Sequence, residues 1–230
     1  AAGVLHIHYT EEKSAQGALW DLRKKGVGLL GNTAGKRRPI PFVEDTAVPP
    51  EYLAAYIAEF RALLDSHGLT YGMFGHVDVG CLHVRPALNL RDEADEQKFR
   101  QISDAVYALV KKYGGVMWSE HGKGFRSAYG PQFHGPEIFN RMRQVKTAFD
   151  PRNQLNPGKI CTPFDSAVKL FDPFHHTRAQ LDKRIDISAE TDVPGALYCN
   201  GNGQCFDYRM DSVMCPSYKA TANRLHSPKG

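Results

Sequence analysis

Apolar positions recur along this chain with two periods, and the switches between them mark out the elements. Val4 to Tyr9 alternates as a strand does. Thr10 then caps a helix that opens on Glu11 and Glu12, runs through Ala15, Ala18, Leu19 and Leu22, and ends at Gly26. Val27 to Leu30 reads as a second strand-like segment. Pro49-Pro50 starts the clearest helix, with Leu53, Tyr56, Ile57, Phe60 and Leu64 on one stripe and Gly68 at the C-cap position. A longer helix opens at Asp92-Glu93, repeats Phe99, Ile102, Val106, Leu109, Val110 and Tyr113 at helical spacing, and stops at Gly114-Gly115. Val116-Met117-Trp118 reads as a strand, and a last helix carries Ile138, Met142, Val145 and Phe149 until Asp150-Pro151 stops it.

Between the two long helices lies Gly75-His76-Val77-Asp78-Val79-Gly80-Cys81-Leu82-His83-Val84. His76 and His83 are an odd number of positions apart, so one straight strand would throw them onto opposite faces. A hairpin with Asp78 to Cys81 as its loop pairs Val77 with Leu82 and sets His76 opposite His83, their Cβ atoms roughly 5 Å apart. Two imidazoles at that distance can share a divalent metal, and Glu120 of Ser119-Glu120-His121-Gly122 supplies a carboxylate. His121 points the other way on an extended backbone and is better used as a proton acceptor than as a further ligand. Unrelated histidines satisfied by local hydrogen bonds would give the same spacing, as His6 and His8 illustrate. The donor set suits zinc, iron, cobalt or manganese alike.

The order of elements lacks regular βαβ units and predicts an α+β fold, a mainly antiparallel sheet with helices packed on one face. The face that carries the histidines is left free for a ligand or another domain. The 230 residues, 42% hydrophobic and 23% charged, suffice for one good-sized domain plus an appendage. A net charge of +4 with scattered basic residues gives no argument for nucleic acid and leaves a small anionic substrate compatible. The basic loop Lys36-Arg37-Arg38 is either solvated or faces an anion. No apolar run is long enough for a membrane span. Gly26-Val27-Gly28-Leu29-Leu30-Gly31 spells a dinucleotide fingerprint, but it follows a helix, where the fingerprint has no meaning. The chain starts almost inside a strand without an initiator Met, and is expected to be a piece of a longer polypeptide.

Cys81 and Cys161 read as plain buried thiols. Cys199, Cys205 and Cys215, the last followed by Pro216, resemble half of a two-cluster ferredoxin run, with Asn202 where the middle cysteine would stand. They are candidate ligands of a 4Fe-4S cluster, although three thiolates cannot close a four-cysteine site. The stretch from 163 to 195, rich in proline and charge, reads as a linker. Three parts result: 1–162, the linker 163–195, and the start of an iron–sulfur region at 196–230.

Leu19-Trp20-Asp21-Leu22-Arg23, Glu44-Asp45-Thr46-Ala47-Val48-Pro49, the histidine hairpin, Ser119-Glu120-His121-Gly122 and Leu155-Asn156-Pro157-Gly158-Lys159-Ile160 together resemble the C-terminal part of FAD-linked oxidases acting on D-2-hydroxy acids. The resemblance covers roughly residues 15 to 162. The cysteine tail narrows it to members fused to an iron–sulfur domain. It implies a ferredoxin-like cap domain, a metal held by His76, His83 and Glu120, His121 as acceptor of the hydroxyl proton, Arg23 as clamp of the substrate carboxylate, and Asn156 near the FAD. Lys36, Arg37 or Arg38 could stand in for a second substrate-binding lysine. Relatives commonly carry Asp-Gly-Asn where this chain has Val79-Gly80-Cys81.

The implied reaction oxidises a D-2-hydroxy acid, 2-hydroxyglutarate favoured, with electrons passing to FAD, iron–sulfur clusters and an external acceptor. The FAD domain would lie in the same parent polypeptide, and this chain alone would be inactive. A glycolate or D-lactate oxidase of the same plan, or an electron-transfer or interaction module without a catalytic site, are the alternatives. The expected location is the cytoplasm, free or at the periphery of the inner membrane.

Overall fold

The structure, a computed structural model, describes residues 9–31, 35–122, 124–172, 174 and 204–227. The chain divides into two compact units, Lys36–Asp186 and, from its two ends, Ala1–Gly35 with Ile187–Gly230. The strand expected at Val4 to Tyr9, with His6 and His8, falls outside the described residues apart from Tyr9, which is not in a strand.

In the first unit, strand β1 (Arg38–Pro39) and strand β2 (Thr46–Ala47) precede helix α2 (Leu53–Ser66), numbered after a helix α1 in the other unit (Lys13–Gly31). Strands β3 (Tyr71–His76) and β4 (Cys81–Leu88) follow, then helices α3 (Glu93–Lys112) and α4 (Gly130–Phe149). The expected α+β class holds: β4 is the hub of a four-stranded antiparallel sheet. It pairs with β3 along its length, with β1 at Ala87 and Leu88, and with β2 at Cys81 and Leu82.

Both long helices form where their patterns place them. The Asp92 side chain accepts hydrogen bonds from the amides of Ala94 and Asp95, and acids fill the first turn of α3 while Lys111 and Lys112 fill the last, as the helix dipole favours. Leu53, Tyr56, Phe60 and Leu64 of α2 and Phe99, Ile102, Val106 and Val110 of α3 are buried, together with Leu82, Val84 and Leu88 of β4 and with Phe42 and Val43. With period two, β4 turns Leu82, Val84 and Leu88 toward this core and Cys81, His83 and Arg85 to the opposite face.

Several expectations are corrected. The hairpin loop is Val77 to Gly80, so His76 pairs with Cys81 and His83 faces Phe74. Gly80 decides this: it closes the loop at φ 70°, where a Cβ would overlap the Val48 carbonyl, so the strand resumes at Cys81. The shift preserves parity, and the two histidines remain on one face as diagonal neighbours. The strand expected at Val116 to Trp118 contracts to a single bridge, Ala47 to Val116. The histidine face is free only in part: Cys81, His83 and Ala87 are each at most 3% exposed, while the His76 side chain keeps 39% of its exposure. The last helix forms as α4, and its Ile138, Val145 and Phe149 are exposed.

In the other unit, α1 runs unbroken through Val27 to Leu30, which correspondingly form no strand, and Leu19, Trp20 and Leu22 are exposed. Toward the end of the chain, Pro216–Thr221 forms a short helix, α5, entered through Cys215 with proline at its first position.

Candidate metal centre

The centre is assembled where three segments meet: the β3–β4 hairpin, the stretch entering β2, and the loop after the Val116 bridge. His76 stands at the end of β3 and His83 in β4, their ring centroids 5.6 Å apart and nearly perpendicular. Glu120 comes to them from the loop. Its Oε1 lies 3.2 Å from His76 Nε2, 2.8 Å from His83 Nε2 and 3.3 Å from His121 Nε2. Three imidazole nitrogens therefore gather on one carboxylate oxygen. His121 does not point away, contrary to the extended-backbone expectation: its ring stacks on that of His83 at 4.7 Å and 10°. Residues 119 to 121 form a bend and not an extended strand, so the alternation on which the expectation rested does not apply.

Burial grades the site. His83 forms the floor at 2% side-chain exposure, while His76, His121 and Glu120 are about 40% exposed at the mouth. Burial, with the neighbouring His121 ring second, pushes the His83 pKa below its ordinary value and so favours the neutral, ligating form. His83 Nδ1 is buried without a hydrogen-bond partner among the described residues, so the ring makes its polar contact through Nε2, toward Glu120. The donor set and the aim of its nitrogens fit a divalent metal held by His76, His83 and Glu120.

The support around these groups includes residues to which the sequence reading gave no role. Glu44 is buried, bridged by Arg85 through Nε and Nη2, and its Oε1 lies 3.6 Å from His121 Nδ1. Asp45, fully buried, accepts from the backbone amides of Ser119, Glu120 and His121. Arg126, 1% exposed, donates from Nη2 to the carbonyls of Glu44 and Met117, and burial lowers its pKa to about 10. Cys81 is a buried thiol, pushed up by that burial, with Sγ 4.0 Å from His83 Nε2. Two adjacent acids between Phe42-Val43 and Ala47-Val48 are a signal that could have drawn attention to Glu44 and Asp45, because acids inside an apolar stretch need buried partners.

The remaining candidates lie elsewhere. Arg38 pairs with Leu88, about 17 Å along β4 from His83, and Lys36 precedes it in an exposed position. Arg37 holds the buried Asp95 through Nε and Nη2 at 2.8 and 2.7 Å. Arg23 belongs to α1 in the other unit, and its side chain is outside the described set. Asn156, at φ 47°, lines a groove of about 1030 Å³ with Met142, Val145, Phe149, Leu155 and Lys159. Cys199 falls outside the described residues, and Cys215 donates to the His226 carbonyl at 3.4 Å. Among the described residues the tightest group of metal-ligating side chains is Asp45, His83, Glu120 and His121; His76 stands outside that group and reaches it at Glu120 Oε1, 3.2 Å from its Nε2, and Cys205 and Cys215 take no part in such a cluster.

Comparison with known proteins agrees with this architecture. Residues 1–160 match the family of FAD linked oxidases, C-terminal domain. D-2-hydroxyglutarate dehydrogenase of Escherichia coli is 56% identical over 229 residues, covering 100% of this chain and 22% of that protein. The enzyme of the same name from Haemophilus influenzae is 58% identical over 212 residues, 92% of this chain and 21% of its own length. A D-lactate dehydrogenase of Archaeoglobus fulgidus is 33% identical over 158 residues, 69% of this chain and 34% of the relative. The chain thus spans about a fifth of the length of the D-2-hydroxyglutarate dehydrogenases it matches. Over that span, sequence and fold agree that the chain belongs to the FAD-linked oxidase C-terminal domain family.

Proposed function

We propose that this chain is the substrate- and metal-handling part of a flavin-dependent dehydrogenase that oxidises a D-2-hydroxy acid, 2-hydroxyglutarate in preference, to the 2-oxo acid. The observation that carries the reading is the meeting of the His76, His83 and His121 Nε2 atoms on Glu120 Oε1. The names of the relatives at 56 and 58% identity support the choice of acid.

In this reading His76, His83 and Glu120 hold a divalent cation. Such a cation supplies positive charge that stabilises the charge developing on the substrate's 2-hydroxyl oxygen, worth several kcal/mol. His121 takes the hydroxyl proton at Nε2, the nitrogen that faces the cluster. Glu44 lies on the Nδ1 side of the ring, its Oε1 3.6 Å away. Arg23 is the residue assigned to the substrate carboxylate, a planar group that a guanidinium can grip with two parallel bonds. Arg38, paired with Leu88 at the far end of β4, and the exposed Lys36 before that strand receive no role. Asn156 is assigned to the flavin, and the largely apolar walls of its groove suit a flat aromatic ring system. The described cysteines do not fit a four-thiolate cluster, and no electron step is routed through them.

The test is turnover by the complete polypeptide that carries this chain, with an artificial electron acceptor and D-2-hydroxyglutarate, D-lactate and glycolate as substrates. The reading expects the highest kcat/KM for D-2-hydroxyglutarate, and a kcat lower by about 10²- to 10⁴-fold when His121 is replaced by alanine. Preference for D-lactate or glycolate would move the assignment to that acid. Turnover unaffected by His121→Ala would remove the catalytic reading.

A further inference from the structure

Asp45 is 0% exposed, and a buried carboxylate must find donors for its oxygens. Oδ2 accepts from the amides of Ser119 and His121, and Oδ1 from the amide of Glu120, each at 3.0 Å. The Cys81 thiol donates to Oδ1 at 3.9 Å. The four acceptor positions of a carboxylate are then occupied, three of them by consecutive backbone amides. Although Asp45 lies within the cluster of groups able to ligate a metal, it has no lone pair to spare for one.

Its main chain is tied as well. Asp45 donates its amide to the Leu82 carbonyl at 2.9 Å, next to His83, and its own carbonyl shares with Oδ2 the single N–H of Ser119, at 3.0 Å. It adopts φ 73°, a conformation that aspartate tolerates better than most residues. One side chain thus couples the strand that bears His83 to the loop that bears Glu120 and His121.

We infer that Asp45 is a positioning residue, the anion of a three-amide nest that presets Glu120 and His121 over His83 before the metal arrives. The inference rests on the proposed metal site and assigns to it a residue that touches neither metal nor substrate. A carboxylate in a nest of amides fixes backbone direction, and through it the side chains that leave that backbone.

The experiment uses the complete polypeptide with Asp45→Asn, with Tyr56→Phe as a control that loses a buried hydroxyl pair at the adjacent Thr46, and with His83→Ala as the ligand variant. Asparagine keeps the shape but turns an NH₂ toward amide donors. The Asp45 variant is expected to bind Zn²⁺ about tenfold more weakly or worse in chelator competition and to lose about tenfold or more in kcat. The Tyr56 variant stays within about twofold on both. At saturating Co²⁺ the absorption envelope of the Asp45 variant matches the parent, because the ligands are unchanged. An altered envelope would make Asp45 a ligand and overturn the inference. Parent-like affinity and turnover in the Asp45 variant, with metal lost in His83→Ala, would overturn the inference alone. Metal retained in His83→Ala would overturn the metal reading and this inference with it. If Asp45→Asn does not fold, hydrogen exchange on the unmodified, metal-free protein decides: the amides of residues 119 to 121 should exchange about 100-fold or more slower than open-loop amides, and free exchange there would refute a preset nest.

Discussion

His83 and Glu120, distant in sequence, meet at 2.8 Å between Nε2 and Oε1, one at the buried floor of the centre and the other at its half-exposed mouth. Replacing Glu120 by glutamine keeps the volume but removes the charge that opposes a cation. Metal affinity should fall by about 100-fold or more, measured by chelator competition on the complete polypeptide, because a lost ligand costs at least as much as a lost supporting contact.

The close approach of the two hairpin strands gives a second prediction. Gly75 lies against the Cys81 main chain so tightly that an added Cβ would overlap the Cys81 carbonyl. Gly75→Ala should destabilise the fold by about 2 kcal/mol or more in denaturant unfolding, and weaken metal binding as well, since the displaced strand bears His76.

Phe60 tests the core independently of the site. It is a residue of α2 fully buried in the core, and it packs its ring edge-on against Tyr56 at 5.6 Å. Phe60→Ala should cost about 3–5 kcal/mol by denaturant unfolding, as truncation of a fully buried aromatic does. Metal content of the folded fraction should be unchanged.

Asp150 predicts a pH dependence. Hydrogen bonds from Lys146 and from the amides of Gln154 and Leu155 lower its pKa to about 2. A carboxylate lowered in the folded state contributes stability that is fully present above its unfolded value of about 4 and is lost as pH falls through about 2. Asp150→Asn should therefore melt below the parent at pH 7, and the gap should close between pH 4 and pH 2. A gap that persists at pH 2 would assign the effect to something other than this ionisation.

Much of the fold was legible in the sequence because its helices carry their own signals. The buried stripes of α2 and α3, the Asp92 cap and the stop at Asp150 are local features. The ends of the hairpin were not, because its register depends on where one left-handed residue closes the loop, and Gly80 does so one residue before the position that spacing suggested. For α4 the apolar positions are real, but a helical stripe does not say what covers it, and here Val145 and Phe149 line an exposed groove. At the candidate centre, spacing and residue type singled out His76, His83 and Glu120, which the fold brings together. Asp45 and Arg126 escaped because they act through backbone groups of distant segments, contacts that no sequence period encodes.

The most direct test of the metal centre is elemental analysis of the complete polypeptide, purified without chelator or affinity metal, beside its His83→Ala variant. The geometry predicts about one equivalent of a divalent metal per chain in the parent and little in the variant. A parent without metal, or a variant that retains it, would contradict the centre built from His76, His83 and Glu120.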